Sequence, residues 1–187
     1  MINQHEHGTK RQKILITINA VIGNIKKDTN LGQKYDEMCR KAASACETIK
    51  ISRLESERVR MRKTSDKGTD VALPLPQGTH LKHGHVLLVA ENKMLIVEIE
   101  PENVAMLEIK SNLHGDDIIK LPVTVGHTIG NLHRPIKVEE NKIYFPIQAN
   151  SEIDMFRKLL GSSNEHIQIT NTKIVFEPDE AMNIHEH

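Results

Sequence analysis

The chain reads as an α+β protein: a β-rich N-terminal domain followed by a ferredoxin-like C-terminal domain. Three observations predict this. Between Ile51 and Ile99, short runs of alternating apolar residues are separated by explicit turn residues. After Pro101 the periodicity follows the order strand, helix, strand, strand, helix, strand. The length of 187 residues suits two small domains, each with a modest core. The expected divisions are 1–100 for the β-rich domain, 101–176 for the ferredoxin-like domain and 177–187 for a flexible tail carrying acidic residues and histidines.

The elements follow in order. Ile14 to Ala20 alternates apolar and small polar residues as a half-buried strand does, and Gly23-Asn24 follows as a turn. Between Leu31 and Ile49 the repeat changes to that of a helix, with Tyr35, Met38, Cys39, Ala42, Ala45, Cys46 and Ile49 on one face. Strands are expected at Arg58 to Arg62, Asp70 to Leu75, Val86 to Ala90 and Lys93 to Glu98, in a small sandwich or partly open barrel. Ser65-Asp66-Lys67-Gly68 and Gln77-Gly78 supply the turns, and Pro74 and Pro76 confine their segment to an edge or an exit.

In the second half, Val104 to Ile109 is the first strand. Asp116 or Asp117 can cap a helix carrying Ile118, Val125 and Ile129, which Gly130-Asn131 would end in left-handed backbone. Pro122 must either kink this helix after its first turn or start it, because proline lacks the donor an interior position uses. Ile136 to Val138 and Lys142 to Phe145 form a hairpin around Glu140-Asn141. Glu152 to Leu160 is a second helix, ended by Gly161, and His166 to Ile169 closes the sheet.

Lysine and arginine number 25, as do aspartate and glutamate, so no basic stripe points to nucleic acid or an anionic membrane. The polar start, Met1 to Lys10, lacks the apolar core of a secretory signal, and the expectation is a cytoplasmic protein. Cys39 and Cys46 are too few for a disulfide framework. On one helix they would stand two turns apart, about 10 Å by helix rise, so buried free thiols are expected.

Histidine is the compositional oddity, with eleven residues against 3% aromatics and no tryptophan. Neutral imidazole is the commonest side-chain ligand of nickel, zinc and copper, so the excess favours metal handling. His133 is the sharpest candidate, in Gly130-Asn131-Leu132-His133-Arg134-Pro135, just past a helix end and before a proline. On local grounds alone, such a histidine is more often a capping or packing residue.

This run resembles the G-N-x-H-x-P motif of the UreE urease accessory proteins. The resemblance extends through Arg60-Met61-Arg62-Lys63 and Gly68-Thr69-Asp70-Val71-Ala72-Leu73. It continues through Leu75-Pro76-Gln77-Gly78-Thr79-His80-Leu81-Lys82-His83-Gly84-His85-Val86-Leu87, similar to the family's L-P-x-G-x-x-L-x-x-G-D-V-L, and Phe176-Glu177-Pro178-Asp179, similar to its F-x-P-E ending. All fall in family order.

The resemblance implies a metallochaperone carrying nickel as cargo to apo-urease, with the urease accessory GTPase as a further partner, and no enzymatic activity. It implies a homodimer through the C-terminal domains, with His133 of each subunit beside the two-fold axis, so that each supplies half a site. Two imidazoles leave nickel short of its preferred coordination, and an incomplete site suits a carrier that must release its ion.

Several features depart from the family. Where many members end in a long histidine-rich tail, this chain ends in Ile184-His185-Glu186-His187. His185 and His187 are candidates to complete the His133 site or are idle. The family's auxiliary histidines after the motif are missing from Ile143 to Gln148, which argues against storage of many ions. His80, His83 and His85 crowd one turn, better read as solvated than as a second site. His5-Glu6-His7 reads as disordered, and His127 as a helix-surface residue.

Other classes fit less well. An RNA-binding module needs stacking aromatics and a basic surface. No H-E-x-x-H or nucleophile elbow suggests a hydrolase. A general divalent-metal buffer for zinc, copper or nickel and a peptide-binding adaptor remain the alternatives.

Overall fold

A computed structural model describes residues 15–110 and 112–179, which cluster into one unit ending at Ile99 and a second beginning at Glu100. His5, His7, His185 and His187 lie outside the described residues.

The first unit contains two sheets. β1 (Leu15–Thr17), shorter than the expected Ile14 to Ala20, runs parallel to β5 (Asp70–Pro74). β4 (Arg60–Thr64) pairs antiparallel on the other side of β5. The second sheet has the order β2-β6-β7-β3, from β2 (Gly23–Asn24), β3 (Cys46–Ile51), β6 (His85–Ala90) and β7 (Lys93–Ile99). A bulge between Val86 and Leu88 interrupts the β6–β7 ladder. One-turn helix α2 (Arg53–Ser56) carries a capping box between Ser52 and Glu55.

Helix α1 spans Thr29–Lys41, with the Asp28 carboxylate accepting the N–H groups of Asn30 and Leu31. Leu31, Tyr35, Met38 and Cys39 pack against Val86, Met94 and Ile96. The helix does not extend to Ile49. Ala42 adopts extended backbone, Ala43–Ala45 form a short 3₁₀ turn, and Cys46 opens β3, which pairs parallel with β7 over six residues. The Ala-rich run from Ala42 to Ala45 continues a helical composition, but Ile49 and Ile51 are fully buried in a sheet. Tertiary pairing overrides propensity here.

That break corrects the reading of the cysteines. The turn brings Cys39 and Cys46 to a Cα separation of 5.6 Å, and they form a disulfide rather than free thiols two turns apart.

The two sheets are tied together by polar groups at the β4–β5 turn. Asp66 Oδ1 accepts the Thr48 N–H, and the Asp66 N–H donates to the Thr48 carbonyl. Beneath the turn, the buried Glu47 carboxylate accepts from Ser65 Oγ at 2.6 Å and lies 2.7 Å from Lys93 Nζ.

The second unit runs β8 (Glu102–Ile109), α3 (Asp117–Asn131), β9 (Lys137–Glu139), β10 (Lys142–Pro146), α4 (Ser151–Leu160) and β11 (Ile167–Ile174). Its sheet has the order β11-β8-β10-β9, every pair antiparallel. β11 is longer than the expected His166 to Ile169, pairing with β8 over eight residues. Leu121, Val125 and Ile129 of α3 and Ile153, Phe156 and Leu160 of α4 share one core with the sheet's Leu107, Phe145 and Ile169. Phe145 and Phe156 meet at a centroid distance of 4.4 Å. Pro122 lies inside α3 and neither starts nor ends it.

The segment after β11 is held in place as far as Asp179, which corrects the expectation that the chain frays from Glu177. Phe176 is buried, and Asp179 bonds to the backbone of Ile136 and Val138. Among the described residues, no helix is long and apolar enough to cross a membrane.

Candidate metal-binding corner

The end of α3 builds the corner that carries His133. Gly130 and Asn131 remain helical, and the left-handed residue is His133 itself, at φ 51°. The His133 N–H donates to the Gly130 carbonyl at 2.9 Å, and the Arg134 N–H to the Ile129 carbonyl at 3.4 Å. These two bonds define a Schellman motif, with His133 at the position glycine usually takes and Pro135 stopping the helix just beyond. An L residue there carries a steric penalty that glycine avoids. The side chain is exposed.

The corner is anchored on both sides. Arg134 Nη2 donates to Glu152 Oε2 at 2.7 Å, while Glu152 Oε1 accepts the N–H groups of Gln148 and Ala149. On the far side, Asp179 holds β9. A glutamate–arginine link across 18 residues leaves no local sequence signal. The acidic second residue of α4 was the only hint, as a favourable charge at a helix N-terminus.

The outward face of α3 is apolar or bare. Ile119 and Val123 are 73% and 63% exposed. Gly126 and Gly130 continue the stripe, and a Cβ at either would meet nothing within 4 Å. Helical spacing groups these four on one face, turned away from buried Leu121 and Val125. The stripe ends at the His133 corner.

The other histidines divide by their bonds. His83 Nδ1 accepts the Ile99 N–H and His85 Nδ1 the Lys82 N–H, so both neutral rings carry their proton on Nε2 and serve the local backbone. His127 is exposed on α3, its Nε2 2.9 Å from Asn131 Nδ2. Among the described residues, no three histidine, cysteine, aspartate or glutamate side chains are grouped to hold a metal ion. The described part of one chain thus brings His133 forward alone of the three expected ligands.

Fold and corner together define a two-unit α+β protein that displays a histidine at a rigid helix end instead of enclosing it in a pocket. Residues 18–100 match the family model described as the UreE urease accessory protein, N-terminal domain. The chain is 27% identical over 155 residues to the urease accessory protein UreE of Natronomonas pharaonis, covering 83% of this chain and 68% of that protein. It is 28% identical over 138 residues to the proteins of that name from Yersinia pestis and Yersinia pseudotuberculosis, covering 71% of this chain and 57% of each of theirs. The chain is thus similar to UreE urease accessory proteins over most of its length, and its residues 18–100 match that family's N-terminal domain.

Proposed function

We propose that this protein is a nickel metallochaperone, not an enzyme, which works as a homodimer and delivers nickel to apo-urease together with the urease accessory GTPase. One observation carries the reading: α3 ends in a Schellman motif whose left-handed position holds an exposed histidine. Glycine is the usual residue there, and an imidazole in its place is displayed at a fixed corner, as a ligand must be.

The second unit is read as ferredoxin-like. Its βαββαβ order and its antiparallel strand order, which in local terms is fourth, first, third, second, support that reading. The dimer reading is supported by the exposed stripe of Ile119, Val123, Gly126 and Gly130, since paired glycines let a second backbone approach closely. A two-fold contact there brings two His133 residues toward one ion. His185 and His187 are the candidates for further ligands. A site of so few protein ligands fits release to a better site.

Nickel titration calorimetry on the wild type and His133→Ala tests this. Wild type is expected to bind about one ion per dimer at the shared site, as two half-sites imply, and the variant to lose that site. Retention of affinity and stoichiometry in His133→Ala overturns the proposal.

A further inference from the structure

The residue after His133 leads away from the metal reading and into the fold. Arg134 is the last residue of the Schellman motif, so its peptide group and that of His133 move together. Its guanidinium ends on Glu152, with side-chain exposures of 24% and 16%, so the pair is substantially shielded from solvent. Exposed pairs contribute little, whereas a shielded, hydrogen-bonded pair fixes geometry.

Glu152 makes more than this one contact. Oε2 accepts from Arg134 at 2.7 Å, while Oε1 accepts the Gln148 N–H at 2.7 Å and the Ala149 N–H at 3.3 Å. A single carboxylate therefore joins the loop after β10, the first turn of α4 and the corner after α3. The adjoining helices are themselves fixed by the core around Ile129, Ile153 and Phe156. The turn bearing His133 is thus referenced to rigid elements and not only to its own backbone.

We infer that Glu152, acting through Arg134, is a positioning residue that sets the orientation of His133 for metal binding. The inference rests on the reading of His133 as a ligand. A symmetric site makes the requirement stringent, because any displacement of the corner in one subunit is repeated by its partner across the axis. Groups that orient a metal-binding histidine commonly carry a tenfold to hundredfold share of affinity. Neither residue is proposed as a ligand of the ion.

The test is nickel calorimetry on the full-length protein for Glu152→Gln, Arg134→Gln and the double variant, with His133→Ala alongside. Melting temperature without nickel and the X-ray absorption spectrum with nickel are recorded for each. Glu152→Gln keeps an acceptor for the Gln148 and Ala149 N–H groups and loses the ion pair. Each single variant is expected to weaken nickel binding about tenfold, and the double variant no more than either, because the two act as one unit. The nickel spectrum is expected to broaden, and the metal-free melting temperature to fall by a few degrees with the fold retained, since a shielded charge loses its partner. If His133→Ala loses nickel but both single variants bind like wild type, the positioning role is overturned and the ligand reading stands. Additive losses, or a loss in Glu152→Gln alone, overturn the route through Arg134. Nickel affinity unchanged in His133→Ala removes the ligand reading and the positioning role with it.

Discussion

The Asp179 carboxylate accepts the Val138 N–H at 2.9 Å, and the Asp179 N–H donates to the Ile136 carbonyl at 3.1 Å. The segment beyond β11 is thereby fastened to β9, three residues from the His133 corner at its nearest point. His185 lies six positions beyond Asp179, a reach of about 20 Å when extended. Deletion after Met182 is expected to weaken nickel binding or change the coordination seen by X-ray absorption. Asp179→Ala, which frees the anchor, should produce part of the same loss. An unchanged spectrum and affinity in the deletion variant would dismiss the tail as a source of ligands.

His133→Gly should separate stability from function. Removing the side chain relieves the left-handed backbone, offset in part by glycine's greater unfolded-state entropy, for a net gain of about 0.5–1 kcal/mol. Urea unfolding reads the gain, and calorimetry reads the simultaneous loss of nickel. A destabilised variant would mean that the His133 side chain has a structural role at the corner.

Glu47 ties acid stability to the first unit. Burial by itself would raise its carboxyl, but hydrogen bonds from Lys93, Ser65 and Thr69 together outweigh burial and hold it below the ordinary carboxylate range. A depressed folded value means that its contribution is complete above the unfolded value and is lost as pH falls through the folded one. Lys93→Met leaves the buried carboxylate without its cation, a cost of about 3 kcal/mol near neutral pH. The gap from wild type should narrow as Glu47 protonates. Urea midpoints taken from about pH 7 to pH 3 check the sign, and a gap that widens in acid contradicts it.

The Cys39–Cys46 disulfide closes a short loop, its cysteines seven positions apart. Loop closure of that length corresponds to about 2–3 kcal/mol. Reductant should therefore lower the urea midpoint of the first unit, while Cys46→Ser starts low and ignores reductant. Equal midpoints for oxidised and reduced wild type would show that the link adds no stability.

Periodicity carried most of the second unit's elements, because its sheet buries one face and its helices bury one stripe. Leu121, Val125 and Ile129 could be placed on α3 from spacing alone. The 31–49 segment misled because alanines at 42, 43 and 45 are equally at home in a helix, and only pairing with β7 decides that Cys46–Ile51 is a strand. The disulfide was lost with that boundary. At the corner, the motif identified His133 but not its backbone. Gly130 and Asn131 tolerate left-handed φ well, yet the helix runs through both and leaves that conformation to His133. Glu152 and Asp179 act over 18 and 41 positions in the chain, a range at which no pattern in the sequence reports contact.

In the proposed dimer, a contact on the bare outward stripe of α3, ending at His133, would tie assembly to nickel binding by thermodynamic linkage. An ion at the two-fold axis meets two imidazoles in the dimer and one in the free subunit, so the factor by which pairing strengthens the grip on nickel is also the factor by which nickel strengthens pairing. Loaded carrier would then persist at dilutions where the empty form falls apart, and loss of the ion would loosen the contact that helped to hold it.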